Sequence, residues 1–346
     1  MPQRKILSTT NWQTDVARLI YLLVTLFLTL DVSLGADPKV IEDAKKEGEV
    51  VWYTNTPLEV SNKIADEFQK KYRFVRPLIF RTNNSPMVAR VLSEATVGRY
   101  LWDLVGGGGE LYTPIMRRQL FTQYRSPETK MLDRDLYDKN GYWAAYTAST
   151  YVLGFNTRQV KKEDVPKTYE ALLHQKWKGH KIAVDTSGGM IHALSSVWGR
   201  EKTISYFKEL AAQEPTAQEG NTLRAQLVAA GEFPLGFVLA HGTELLATKG
   251  APTDWIALEP AVMRIVILGL AANSPHPNAA RLFYDFIISK EGQEILKSFN
   301  RVPIRNDVDP DPPRLVRGYK RVTMFPEMFA DLEATQRIYN EIFRIR

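Results

Sequence analysis

From about residue 49 the chain alternates short apolar runs with amphipathic stretches. Val50-Val51-Trp52-Tyr53 reads as a short buried strand. Val60, Ile64, Phe68 and Tyr72 follow at intervals of four, which places them on one face of a helix. Between these runs, Thr56-Pro57-Leu58-Glu59 offers a Thr cap, Pro at the first helical position and Glu three residues after the cap. That spacing predicts a capping box. Leu78-Ile79-Phe80 reads as a second strand, and Ser85-Pro86 opens a helix with Val88, Val91, Leu92 and Ala95 inward, stopped by Gly98. Asp103-Leu104-Val105 is a third strand that runs into four glycines.

A second set of alternating elements follows. Lys181 to Val184 reads as a strand, then comes a Gly-containing turn and a helix to about Trp198. Asn221 to Ala230 is predicted as a helix capped by Asn221 and ended by Gly231, with a strand from Phe233 to Val238 behind it. Strands alternating with helices signal βαβ units and largely parallel sheets. The pattern therefore predicts an α/β protein of two lobes, each a mostly parallel sheet flanked by helices. Apolar stretches at Tyr151–Phe155 and Trp255–Leu270 are the expected crossings between lobes. Pro277 opens a late helix whose inward face is Leu282, Phe283 and Phe286, and the tail beyond about Pro303 is expected to turn helical near its end.

The N-terminus has a different character. Arg4, Lys5 and Arg18 precede the apolar run Leu19 to Leu30, and Ser33-Leu34-Gly35-Ala36 then supplies small residues. This run is shorter than the ~20 apolar residues of a membrane span. A basic start, an apolar core and a small-residue exit instead predict a cleaved secretory signal over 1–36, hence a periplasmic protein. The expected layout is lobe 1 over 37–149, lobe 2 over 150–258, a return to lobe 1 over 259–303, and a tail over 304–346.

The 346 residues contain no cysteine. That removes lipidation at a Cys, disulfides, thiolate metal sites and a Cys nucleophile. Residues 1–36 hold three basic and two acidic side chains, so the rest of the chain keeps +5 of the overall +6. Such a surplus helps draw in anions. The basic residues are interspersed with acids rather than clustered with aromatics, so nucleic acid is not expected as a partner.

Several segments resemble the type II periplasmic solute-binding proteins of ABC importers (extracellular solute-binding family 1). Gly141-Tyr142-Trp143 through Tyr151-Val152-Leu153-Gly154-Phe155-Asn156-Thr157 is similar to their interlobe segment. Lys176-Trp177-Lys178-Gly179-His180-Lys181-Ile182 resembles their turn-to-strand motif, and Ala229-Ala230-Gly231-Glu232-Phe233-Pro234 a further family segment. Lys249-Gly250-Ala251-Pro252, Pro275-His276-Pro277-Asn278-Ala279-Ala280 and Ser289-Lys290-Glu291-Gly292-Gln293 continue the same order. The nearest branch includes the ferric-iron-binding proteins. The resemblance implies a ligand cleft between two lobes, closure on binding, and delivery to a membrane permease with its ATPase.

Candidate ligand groups follow from strand-to-helix turns. Thr186-Ser187-Gly188-Gly189 offers backbone N–H groups at a helix N-terminus, an anion site in form. Ser187 is equally readable as a plain cap, with Gly188 and Gly189 making a tight turn. In the iron-binding branch the corresponding turn holds the anion that accompanies the metal, and an Asn in the place of Asn221 reaches it. Those relatives also carry two adjacent tyrosines where this chain has His241-Gly242. The first-lobe loop Thr54-Asn55-Thr56-Pro57 brings no His or carboxylate. His241 either points into the cleft or is structural. Arg81 and Ser85 stand at the expected cleft edge of lobe 1, as a carboxylate or phosphate clamp and a turn, or as a solvated Arg beside a cap. Gly108 either offers close backbone approach to a ligand or belongs to a plain flexible turn; the Gly-rich segment lacks the Gly-Lys-Ser/Thr of a P-loop. Glu110 either meets a cationic part of a ligand or favours a helix N-terminus. Trp52, Tyr53, Trp143, Tyr146 and Tyr151 read mainly as packing.

The expected function is capture of a small anionic solute (a phosphate ester, phosphonate or carboxylate) by a monomeric, non-enzymatic transport protein without a cofactor. The alternative is ferric iron or another metal held with a synergistic anion. An enzyme on the same scaffold is the reading of another class; no Ser-His-Asp or two-His-carboxylate pattern supports it. A sensor-linked binding module shares every feature named so far.

Overall fold

The computed structural model describes residues 37–345, and the expected secretory signal over 1–36 lies outside the described residues. The chain runs α1 (Pro38–Glu47), β1 (Glu49–Thr54), α2 (Leu58–Lys71), β2 (Arg76–Arg81), α3 (Asn84–Thr96) and β3 (Leu104–Gly108). Next come α4 (Tyr112–Met116), β4 (Phe121–Thr122) and the long strand β5 (Ala144–Asn156). The second set is β6 (Ile182–Val184), α5 (Gly189–Trp198), α6 (Arg200–Ala211), β7 (Thr216–Ala217), α7 (Asn221–Ala230), β8 (Leu235–Leu239), α8 (Ala240–Thr248) and β9 (Thr253–Ile256). It is followed by β10 (Ala261–Ala271), α9 (Pro277–Ile288), α10 (Lys290–Ser298), β11 (Arg321–Met324) and α11 (Leu332–Phe343).

β1 pairs in parallel with β2 and β3, and β6 pairs in parallel with β7 and β8. Helical crossovers require that direction. The two parallel groups are joined by β5 and β10, the longest strands, of 13 and 11 residues. These run antiparallel to each other and to β3, β4, β8 and β9, while β11 adds to β10 in parallel. Up to Thr150, β5 pairs with β10; from Tyr151 onward it pairs with β8 and β9. Its register with β10 shifts between Val266 and Ile267. Such an irregularity bends a strand locally. One mixed sheet thus passes through both lobes: parallel at its flanks, antiparallel where the lobes join.

The helix faces bury the residues the sequence periodicity selects. Val60, Ile64 and Phe68 of α2 are buried, and so are Leu282, Phe283 and Phe286 of α9. Trp52 of β1 packs edge-on against Phe283 and Tyr146, with ring centres 5.6 and 6.0 Å away.

Four local expectations are corrected. The capping box does not form, because Thr56 is buried and its hydroxyl lies 2.8 Å from the Tyr146 hydroxyl, so Pro57 precedes α2 without a side-chain cap. The glycines after Val105 are not a loose turn: Gly106–Gly108 complete β3 and pair with Leu268–Val266 of β10. Bulk is excluded there, since a Cβ on Gly106 would stand 2.7 Å from Trp52 Nε1. Helix α3 starts at Asn84 and buries Met87 and Val91, leaving Ser85 exposed in its first turn. Asn221 is the first residue of α7 rather than its cap, a place taken by Gly220 at φ 85°.

Candidate functional site

The join between the lobes leaves a polar cavity of about 210 Å³. The loop after β1 contributes Asn55, Thr56 and Pro57; β5 contributes Thr147 and Ser149; the start of α7 contributes Asn221 and Thr222. His241 and Gly242 come from the first turn of α8, Arg264 and Val266 from β10, and Leu296 and Arg301 from α10 and the turn behind it. Strand ends and helix starts meet here because the parallel strands on both sides direct their C-terminal ends to the join.

Two guanidinium groups dominate this cavity. Arg264 is the one charged residue of β10 and reaches Glu110 Oε1 at 3.1 Å, and this carboxylate raises its pKa. Gly108 lies beneath that pair, where a Cβ would come within 2.6 Å of Arg264 Nη2. Arg301 differs: its side chain has no hydrogen bond or ion pair within the described residues. Burial lowers its pKa, with only Tyr146 opposing that shift. A guanidinium carries five N–H donors. Leaving them without an acceptor beside a cavity is costly unless an anion or water meets them.

His241 adds a neutral donor or acceptor. Its Nδ1 lies 3.0 Å from Ser149 Oγ. Burial, and then the charges of Arg301 and Arg264, push its pKa down to about 4. Asn221 accepts a 2.5 Å hydrogen bond from Arg224 at its Oδ1, which leaves its NH₂ available at the cavity wall. Asn55 donates to Asn84 Oδ1 at 2.9 Å, and Asn84 in turn donates to Glu110.

A second cavity of about 600 Å³ adjoins the first, and Asn221 and Arg264 line both. Its other walls include Tyr151, the acidic residues Glu110, Asp185, Glu219 and Glu333, Ser187, and one face of α11. Asp185 meets the fully buried Arg224 at 3.0 Å and accepts from the Tyr151 hydroxyl at 3.2 Å.

The Ser-Gly turn sits at the edge of this second cavity with its donors already engaged. Gly188 N donates to Gln336 Oε1 at 3.0 Å, Gly189 N to Ser187 Oγ at 3.3 Å, and Thr186 N to Asp185 Oδ1 at 2.8 Å. Gly188 is buried under Tyr339, and of the turn's three candidates only Ser187 lines the space. Three further candidates are also displaced. Arg81 ends the outer strand β2 and is exposed; Ser85 is exposed and lines neither cavity; Thr54 is fully buried and accepts from Thr56 N at 3.1 Å. Gly108 ends β3 opposite Val266 and gives space to the Glu110–Arg264 pair. Asn55, Asn221 and His241 are brought together in the smaller cavity, and Ser187 and Glu110 in the larger.

The profile of the bacterial extracellular solute-binding proteins matches residues 103–321. The chain belongs to this family. The solute-binding protein is 26% identical over 194 residues to the Fe(3+)-binding periplasmic protein of Serratia marcescens, covering 53% of this chain and 57% of that one. It superposes on iron-bound HitA from Pseudomonas aeruginosa with TM-score 0.72 at 17% identity, covering 85% of this chain and 99% of HitA. On AfuA from Actinobacillus pleuropneumoniae, a periplasmic binding protein with fructose-6-phosphate bound, TM-score is 0.70 at 21% identity, covering 86% and 99%. These likenesses establish the two-lobed periplasmic binding protein fold. Solute-binding proteins of this family deliver small ligands to the permease and ATPase of an ABC importer.

Sequence reasoning missed the two residues that set the character of this cavity, Arg264 and Arg301. Arg264 had a readable signal, as the one charge in the apolar run AVMRIVILGLA. Arg301 had none, because only the fold brings the turn after α10 to the cavity. Among the described residues, no three His, Asp or Glu side chains group so as to hold a metal ion.

Proposed function

We propose that this solute-binding protein is exported by cleavage of its first 36 residues and captures a small anionic solute in the periplasm. A phosphate ester, phosphonate or carboxylate fits. Arg301 and Arg264 would meet the anion, with Asn55, Asn221 and His241 as neutral partners. The observation that carries this reading is the unpaired Arg301 guanidinium at the cavity. Charge-assisted hydrogen bonds to such a group are short and strong. The larger cavity leaves room for the organic part of the ligand. Residues 37–149 with 259–303, and residues 150–258, are proposed as the two lobes, with β5 and β10 between them. The protein is proposed to act as a monomer and without catalysis, since binding and closure require only differential affinity for the closed state.

Ferric iron with a synergistic anion is the second reading, favoured by the cargo in the names of two relatives. The donor set argues against it: two guanidiniums repel a cation, and His241-Gly242 stands where that branch carries its adjacent tyrosines.

A thermal-shift screen of the mature protein separates the readings. Phosphate monoesters, phosphonates or carboxylates should raise the melting temperature, since ligand at 100 times its Kd stabilises by about 2.7 kcal/mol. A visible absorption band with ferric salts, and no shift with any organic anion, would overturn the proposal.

A further inference from the structure

The larger cavity has a wall that neither lobe supplies. Leu332, Glu333, Gln336, Arg337 and Asn340 line it from α11. Their spacing puts them on one helical face. That face is pinned to lobe 2 by the Gln336 amide, which accepts from Gly188 N at 3.0 Å and donates to Thr186 O at 2.8 Å. The Tyr339 hydroxyl adds a 2.7 Å bond to Asp185 O. The segment leading into the helix is tied to lobe 1, through Trp143 Nε1 to Glu327 Oε1 at 3.1 Å and Arg117 Nη2 to Ala330 O at 3.2 Å. The polar face of α11 is thus held on the lobe 2 side of the cavity, while the segment that enters the helix is anchored on the lobe 1 side.

We infer that α11 is the specificity wall of the site: the anionic group sits between Arg264 and Arg301, and the organic body of the ligand lies along α11. The inference rests on the anionic reading above. Asn221 and Arg264 border both cavities, so one molecule can occupy both. Glu219 and Glu333 at the larger cavity favour a body that donates hydrogen bonds, such as a hydroxylated one, over a second anionic group.

The test uses the whole mature chain, calorimetric titration, and probes sharing one anionic head: inorganic phosphate, glycerol 3-phosphate and a hexose 6-phosphate. The variant is Asn340→Trp, chosen because among the described residues the Asn340 side chain bonds only to Gln336 of its own helix. The wild type should bind the hexose ester at least tenfold more tightly than phosphate. Asn340→Trp should erase that preference while phosphate affinity stays within about threefold. An equal preference in both proteins, or none in the wild type, overturns the inference. If the wild type binds no phosphate compound, the anionic reading beneath it fails instead. Should Asn340→Trp not fold, Glu333→Trp answers the same question from an exposed position on the same face.

Discussion

Two regions of the cleft offer what an anion needs, and they differ in whether the chain has already used it. On the lobe 2 side, the Ser187–Gly189 turn gives its backbone donors to Ser187 and Gln336. Beside it the Arg224 guanidinium bonds Phe237 O, Gln218 O, Asn221 and Asp185. At the join of β10 and the turn after α10, the Arg301 guanidinium bonds no other group among the described residues. The same functional group is structural where every donor is satisfied internally and available for a ligand where none is. A motif locates donors; only the full hydrogen-bond account shows which remain free.

The largest expected effect breaks the satisfied region. Arg224→Met leaves Asp185 without its buried partner, and losing one member of a buried pair costs ~3–5 kcal/mol. Urea denaturation should show that loss, and a change below about 1 kcal/mol would mean the network is not structural. Next, Arg301→Gln should weaken phosphate binding ~10–100-fold, the worth of a charged hydrogen bond. It should leave unfolding stability equal or higher, because an uncompensated charge is removed. Lower stability with unchanged binding would reverse the assignment.

A smaller effect is pH-dependent. His241 is held down to about 4 in the folded protein. In the unfolded chain it titrates near ~6.5. The unfolded state therefore binds the extra proton between these values, and stability falls as pH drops through that window. Between pH 7 and 5 the His241 share is on the order of 1 kcal/mol, and His241→Asn should flatten that part of the slope. An identical slope in both proteins would place His241 in contact with water. Least of all, Ser187→Ala should change anion affinity by less than about twofold, since an exposed hydroxyl bond contributes little net; a tenfold loss would return the anion to that turn.

The fold was legible because it is written in repeated local signals. The four-residue recurrence of Val60, Ile64 and Phe68, and the alternation of apolar strands with helices, each required burial of one face. The candidate site was legible only in part. Asn55, Asn221 and His241 sit at strand-to-helix junctions, and parallel topology carries those to the join. Arg301 has no such local context. The turn at Ser187 misled for the opposite reason, since its context is that of an anion site, but a helix more than 140 residues downstream fills it.

The most direct test is a crystal structure of the mature protein soaked with tungstate, read by anomalous scattering. The account predicts the principal peak within hydrogen-bond reach of Arg301 and Arg264. A principal peak on the Ser187–Gly189 turn, with Arg301 uninvolved, would contradict it.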